Sequence, residues 1–278
     1  MMHTETIIEQ VRTLGIRLTQ KPYLVGGCVR DRFLRRRTHD IDIVLEGNAL
    51  DFARAFSRAY HYPAPVFYGK FGTAMIEINN TKIEFATARK ESYRADSRNP
   101  EVKPAAILED LTRRDFTINA IARDIITGEI LDPFGGKADI ARKIIKTPVA
   151  PDQTFFDDPL RILRGIRFAT VFSFAIEPAT IEGMRRNAHR LAIISTERIA
   201  DEIIKILSAK SPGRGFLLLE QTGVLHHILP EVAALRERKS NHSCKELFDH
   251  TLQVLDNLAG MTKDPFLRFA ALLHDIGK

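Results

Sequence analysis

Residues 22–47, PYLVGGCVRDRFLRRRTHDIDIVLEG, decide how the whole chain is read. Residues 23–25 are apolar and sit between Pro22 and the Gly26-Gly27 pair, which predicts a short buried strand running into a tight turn. Over 28–35 the spacing becomes helical, with Val29, Phe33 and Leu34 on one side and Arg30, Asp31 and Arg32 on the other. After a polar break at 36–38, Ile41, Ile43 and Leu45 alternate with Asp40, Asp42 and Val44, which predicts a second strand. Residues two apart on a strand share a face, so Asp40 and Asp42 stand side by side.

Two carboxylates that close repel each other unless a cation sits between them. Hard oxygen ligands suit Mg²⁺, which takes one or two protein carboxylates together with substrate phosphates. The turn at Gly27 leads into a helix N-terminus, where backbone N–H groups attract phosphate, and Arg30 is near enough to add a bidentate clamp. Strand, Gly-Gly, helix and Asp-x-Asp together read as a grip for a metal-bound triphosphate. A lone Asp-x-Asp is more often the solvent face of a strand; the glycine turn upstream reverses that preference.

The segment from Leu24 to Asp31, followed by Asp40-Ile41-Asp42, resembles the class II tRNA nucleotidyltransferase and bacterial poly(A) polymerase family, within the wider polymerase-β-like nucleotidyltransferases. The resemblance implies an α+β head with a small mixed sheet, followed by an all-helical neck and body. Asp40 and Asp42 would then be catalytic and metal-binding, with Gly27, Arg30 and Arg114 on the triphosphate.

Composition agrees with a folded protein that meets a polyanion. The 278 residues are 44% hydrophobic with a formal net charge of +6. No apolar run approaches the ~20 residues that cross a bilayer. The polar first ten residues lack an apolar signal core, which predicts a cytoplasmic, non-exported chain. Cys28 and Cys244 are far apart without metal-type spacing, so a reduced setting is expected and Cys28 reads as a packing residue.

Along the chain, 4–19 and 49–59 show helical spacing, and 66–68, 73–78 and 82–86 read as strands, the last two joined at Asn79-Asn80. Glu84 sits inside the last of these and is a third candidate acid if its strand neighbours Asp40 and Asp42; a solvent-facing glutamate is the competing reading. The charged, aperiodic stretch 87–103 reads as a mobile loop, and its start resembles the family's flexible loop. In LTRRDFTINAIA, residues 111–122, the Arg113-Arg114-Asp115 run and Asn119 match the family's RRDFT-x-NA motif. By that match Arg114 meets triphosphate, and Asp115 orients it or meets the ribose. Residues 125–130 read as a hairpin, and the Asp-Pro-Phe-Gly-Gly run at 132–136 as a structural corner.

Residues 157–168, DDPLRILRGIRF, place Arg161, Arg164 and Arg167 three apart along a helix. They resemble the family's D-x-x-R element, which implies that Asp158 and Arg161 pair with the incoming base in place of a template. A carboxylate accepts from an exocyclic amine and a guanidinium donates to ring acceptors, so C and A suit the pair. Arg164 and Arg167 would lie nearer phosphate and helix packing. Helices are expected at 176–189 and 195–207, and a pair over 213–229 broken at Gly223. Around His250, His274 and Asp275 the tail resembles the first half of an HD domain, apparently cut short at Lys278.

The expected domains are a head at 1–150, a neck at 151–210 and a body at 211–278. The implied activity is template-independent transfer of CMP or AMP from CTP or ATP to the 3′ end of tRNA, with Mg²⁺. A poly(A) polymerase or a CC-only or A-only enzyme shares the same motifs. An HD-type phosphohydrolase and a non-catalytic RNA-binding module are the alternatives of other classes.

Overall fold

The computed structural model describes residues 4–38, 40–69, 72–94, 97–238 and 246–277, with the backbone alone at 92–94 and 97–100. Cys244 and Lys278 therefore lie outside the described residues. The chain divides into two compact units, the first of residues up to Tyr93 and from Asn99 to Arg142, the second mainly from Lys143 onward.

The first unit opens with α1 (Thr4–Leu18), which buries Ile7, Val11 and Leu14 at helical spacing. β1 (Pro22–Val25), α2 (Gly27–Phe33) and β2 (Asp40–Leu45) follow as the alternation predicts. α3 (Ala49–Tyr60) is capped by Asn48, whose side chain accepts from the N–H groups of Leu50 and Asp51. β3 (Val66–Tyr68), β4 (Thr73–Ile78) and β5 (Thr81–Thr87) come next. Asn79 and Asn80, both at positive φ, turn the β4–β5 hairpin; asparagine tolerates that left-handed region.

The stretch read as a loop does not stay irregular: β6 (Arg89–Arg94) and β7 (Ser97–Pro104) pair as a two-stranded ribbon. Its root is held by hydrogen bonds that side-chain periodicity does not announce, from Ala88 N to Leu45 O and from Ala105 N to Ala88 O. α4 (Ile107–Thr112) is followed not by a continued helix but by a turn and a 3₁₀ segment at Thr117–Asn119. β8 (Ala122–Asp124), β9 (Ile130–Leu131) and α5 (Gly136–Arg142) close the unit. A Cβ on Gly136 would come within 2.1 Å of Thr117 O, so the corner requires glycine for close packing.

The sheet order is β3-β4-β5-β2-β1-β8-β9, mixed because β2 and β5 run parallel. One face packs under α3, where the rings of Phe52 and Phe56 meet Phe85 in tilted contacts at 5.6 and 5.4 Å. On the other, Tyr23, Val25, Val44, Ile107 and Leu111 form an apolar cluster. Asp40, Asp42 and Glu84 continue that face beyond the cluster.

The second unit is almost wholly helical. It begins with β10 (Ile144–Ile145), α6 (Pro151–Asp157) and α7 (Leu160–Phe172). β11 (Ala175–Ile176) pairs parallel with β10, and α8 (Pro178–Asn187) and α9 (Thr196–Leu207) follow. α10 (Pro212–Gln221) and α11 (Val224–Ile228) are broken, as predicted, at Gly223, which has φ +71°. α12 (Pro230–Ala233), α13 (Leu247–Met261) and α14 (Pro265–Leu273) complete it. Buried Arg268 on α14 donates to five carbonyl contacts at Leu207, Ala209, Ala259 and Thr262, pinning α13 and α14 to the end of α9. No helix among the described residues is long and apolar enough to cross a membrane.

Candidate active site

β2 and β5 pair in a register that sets Asp42 directly opposite Glu84, with Asp40 two residues earlier on the same face. Val25, Asp42, Glu84, Arg89, Arg113 and Arg114 are among the residues lining a cleft of about 240 Å³ here. Glu84 thus lies on a central strand beside Asp42, not on the edge of the sheet. Burial pushes the Asp42 carboxyl above its ordinary range; Arg114 opposes the rise, Asp40 adds to it and Arg30 opposes it. Glu84 is raised too, first by the partial desolvation of its position and then by Asp42, against Arg89 and Arg114. Acids aligned so that each disfavours the other's charge, with only oxygen donors, fit a divalent cation.

Gly26 makes the turn. It has φ +67°, and a Cβ there would lie 3.0 Å from Arg114 Nη1 and 3.6 Å from Asp42 Oδ2. The close approach of backbone to the cleft thus belongs to Gly26 more than to Gly27, whose Cβ would meet only Arg30, at 3.5 Å. Cys28 donates to Val25 O at 3.0 Å, and burial pushes its thiol up to about 11. A neutral, hydrogen-bonded thiol is a packing group, as its surroundings in the sequence suggest.

Arg30 is 8% exposed and already engaged. It bonds Asp31 at 2.9 Å and donates to Asn119 Oδ1 at 2.6 Å, while Asn119 Nδ2 donates to Asp115 Oδ1 at 2.9 Å. Asp115 also accepts from Phe116 N. The carboxylate that grips Arg114 is Asp110. Its Oδ2 accepts from Arg114 Nε and Nη2 at 3.3 and 2.9 Å, and its Oδ1 from Arg113 Nη2 at 2.6 Å. Burial works against ionisation of the fully buried Asp110, yet Arg114 and Arg113 outweigh it and hold the carboxyl below its usual range. Asp110 was the residue that sequence reasoning missed. Its signal was an acid three and four residues before the arginine pair, within one helical turn.

In the second unit Asp158 ends α6 in extended conformation, and its Oδ1 accepts from Leu160 N at 3.1 Å. Its other oxygen is 4.0 Å from Arg198. Arg161 is buried, with Nη1 3.4 Å from Thr154 O. Arg164 and Arg167 lie over the Phe168 ring, and Arg167 pairs with buried Glu202 at 3.1 Å. The arginines expected as one stripe thus divide: Arg161 points inward and Arg167 bridges α7 to α9. Among the described residues, His250, His274 and Asp275 form a trio whose donor atoms lie within 4.8 Å of one another.

A mixed sheet bearing aligned acids beside a glycine turn, with a separate helical unit, is a nucleotidyltransferase-type arrangement, and the comparisons agree. The model of the poly A polymerase head domain matches residues 22–146, that of the probable RNA and SrmB-binding site of polymerase A residues 173–235, and that of the HD domain residues 247–278. The multifunctional CCA protein of Chromobacterium violaceum is 38% identical over 271 residues, covering 92% of this chain and 62% of that protein. The A-adding tRNA nucleotidyltransferase of Aquifex aeolicus is 38% identical over 204 residues, covering 67% of this chain and 24% of that one. A solved tRNA nucleotidyltransferase in complex with a primer tRNA and an incoming ATP analog superposes with TM-score 0.75 at 29% identity, covering 95% of this chain and 75% of that one. The chain belongs to the class II CCA-adding enzyme and poly(A) polymerase family, whose members depend on a divalent metal. It spans about three fifths of the length of the Chromobacterium relative.

Proposed function

We propose that this chain carries the catalytic part of an enzyme that adds CMP and AMP, from CTP and ATP, to the 3′ end of tRNA with release of pyrophosphate. The observation that carries this reading is the Asp42–Glu84 register pair, two raised carboxyls sharing a cleft with Arg114. Asp40 and Asp42 would hold Mg²⁺, with Glu84 as the third carboxylate; the all-oxygen donor set suits that ion. When bound, the metal neutralises triphosphate charge and activates the RNA 3′-hydroxyl.

The protein's own groups position the substrate. Arg114 Nη1 lies beside the Gly26 turn and takes the triphosphate there, with the N–H groups at Gly27. Arg30, engaged by Asp31 and Asn119, contributes its charge from behind the turn, and Asp115 and Asn119 hold it in place. Asp158 and Arg161 read the amine and ring acceptors of C or A, each set by its contacts within the second unit. Arg164 faces phosphate, and Arg167 keeps α7 against α9. In domain terms the head is 1–150, the base-reading neck 151–210 and the RNA-holding body 211–278. A cytoplasmic setting follows from these substrates.

The test is primer extension with tRNA lacking CCA, tRNA ending in C or CC, and a generic RNA, each offered CTP or ATP with Mg²⁺. Ordered addition of C, C and A to tRNA alone is expected. A-tailing of the generic RNA identifies a poly(A) polymerase instead, and addition of only C or only A a partial enzyme. No incorporation at all overturns the reading.

A further inference from the structure

We propose that Asp110 and Glu91 are positioning residues for the nucleoside triphosphate, holding Arg113 as a strut so that Arg114 is presented to the cleft. The inference rests on the reading of that cleft as a triphosphate site and goes beyond it in naming what sets the arginines. Every nitrogen of the Arg113 guanidinium is spent inside the protein. Nε donates to Arg89 O and to Asp110 Oδ1, each at 3.1 Å. Nη2 donates to Asp110 Oδ1 at 2.6 Å and Nη1 to Glu91 Oε1 at 3.0 Å. These bonds from all three nitrogens hold the guanidinium in one orientation, so Arg113 serves as scaffold. Arg114 differs: Nε and Nη2 lie on Asp110 Oδ2, which turns Nη1 toward Gly26 and Asp42.

Glu91 brings the ribbon into this arrangement. Its side chain is 4% exposed and accepts from both Arg89 Nε, at 2.8 Å, and Arg113 Nη1. Asp110 Oδ1 in turn accepts from the Arg89 N–H at 3.3 Å. The first strand of the ribbon, the cleft-lining Arg89 and the Arg113 strut therefore share two buried carboxylates. Within this cluster three arginines meet two carboxylates, which sets an excess of one positive charge opposite Asp42 and Glu84 of the same cleft. Buried ion pairs are seldom the cheapest way to stabilise a fold, and their best-attested use is to specify one geometry. A guanidinium held in one orientation before the substrate arrives loses little freedom on binding it.

The test is equilibrium titration of CTP and of ATP, each with Mg²⁺, against the full chain and its variants, with thermal denaturation of the same samples. Glu91→Gln is expected to weaken CTP and ATP alike by about tenfold, because the arginines meet phosphate and not base. Glu91→Asp recovers part of the loss. The Glu91→Gln/Arg113→Gln pair binds no more weakly than Arg113→Gln alone, since Glu91 acts through Arg113. Asp110→Asn gives a larger loss than Glu91→Gln; should it fail to fold, the Glu91 series decides by itself. Unchanged affinity in folded Glu91→Gln, or losses that add in the pair, overturns the inference while the triphosphate reading stands. Failure of the unaltered chain to bind either nucleotide removes both.

Discussion

The two units treat charge in opposite ways. In the first, Asp40, Asp42 and Glu84 are aligned by the β2–β5 pairing so that burial and mutual repulsion raise the carboxyls of Asp42 and Glu84. In the second, two buried charges sit against opposite charge or carbonyls: Glu202 pairs with Arg167 and Lys205, and Arg268 is shared among backbone carbonyls. Like charge gathered at a cleft, with carboxyls still raised despite nearby arginines, marks a place prepared for something that arrives, whereas a compensated charge marks scaffold. Asp110 shows the boundary between the two, since it sits beside the cleft yet is compensated, and its pKa moves the other way.

Asp42→Asn breaks the comparison most sharply. Nucleotide addition should fall by about a thousandfold or more, on the scale of losing a group that stabilises transition-state charge. Its melting temperature should hold or rise, because a disfavoured charge has been removed. Single-turnover CMP incorporation and thermal denaturation measure the two; a folding loss with intact activity would reverse the roles assigned to the acids.

In the second unit the expectation inverts. Glu202→Ala leaves the partly buried Arg167 without its carboxylate and should cost about 3 kcal/mol in denaturant unfolding. Glu202→Leu with Arg167→Met should recover much of that loss, since an apolar pair of similar volume replaces a buried ion pair well.

The smallest effect is in pH. Asp110 is depressed, so its contribution is present above the ordinary carboxylate value of 3.8 and lost as pH falls through its lower folded value. The stability cost of Asp110→Asn should therefore be full at pH 7 and shrink only below about pH 4. Asp42 is raised, so its ionised form disfavours the fold at pH 7, and the penalty disappears as pH falls through its folded value. Any stability advantage of Asp42→Asn should accordingly narrow on acidification. Parallel pH profiles for the two variants, each about 1 kcal/mol in scale, would erase the contrast.

Several local readings hold in the structure. Alternation over 40–45 places Asp40 and Asp42 on one face, and this holds in any sheet because the pleat has period two. The Gly-Gly turn, the helix after it and the break at Gly223 follow from backbone freedom alone. The ribbon over 89–104 escaped notice because its strands lack apolar alternation, and the hydrogen bonds at its root lie in residues remote in sequence.

The sequence by itself determined the acids, the turn, the arginine pair and the family resemblance, because these depend on residue identity and short-range periodicity. Only the tertiary structure decided that Glu84 faces Asp42 across parallel strands and that Asp110 grips Arg114. It also decided that Arg30 and Arg161 are buried. Each of these depends on which segments become neighbours and in what register, and that choice is made by packing the whole unit, not by any one stretch of chain.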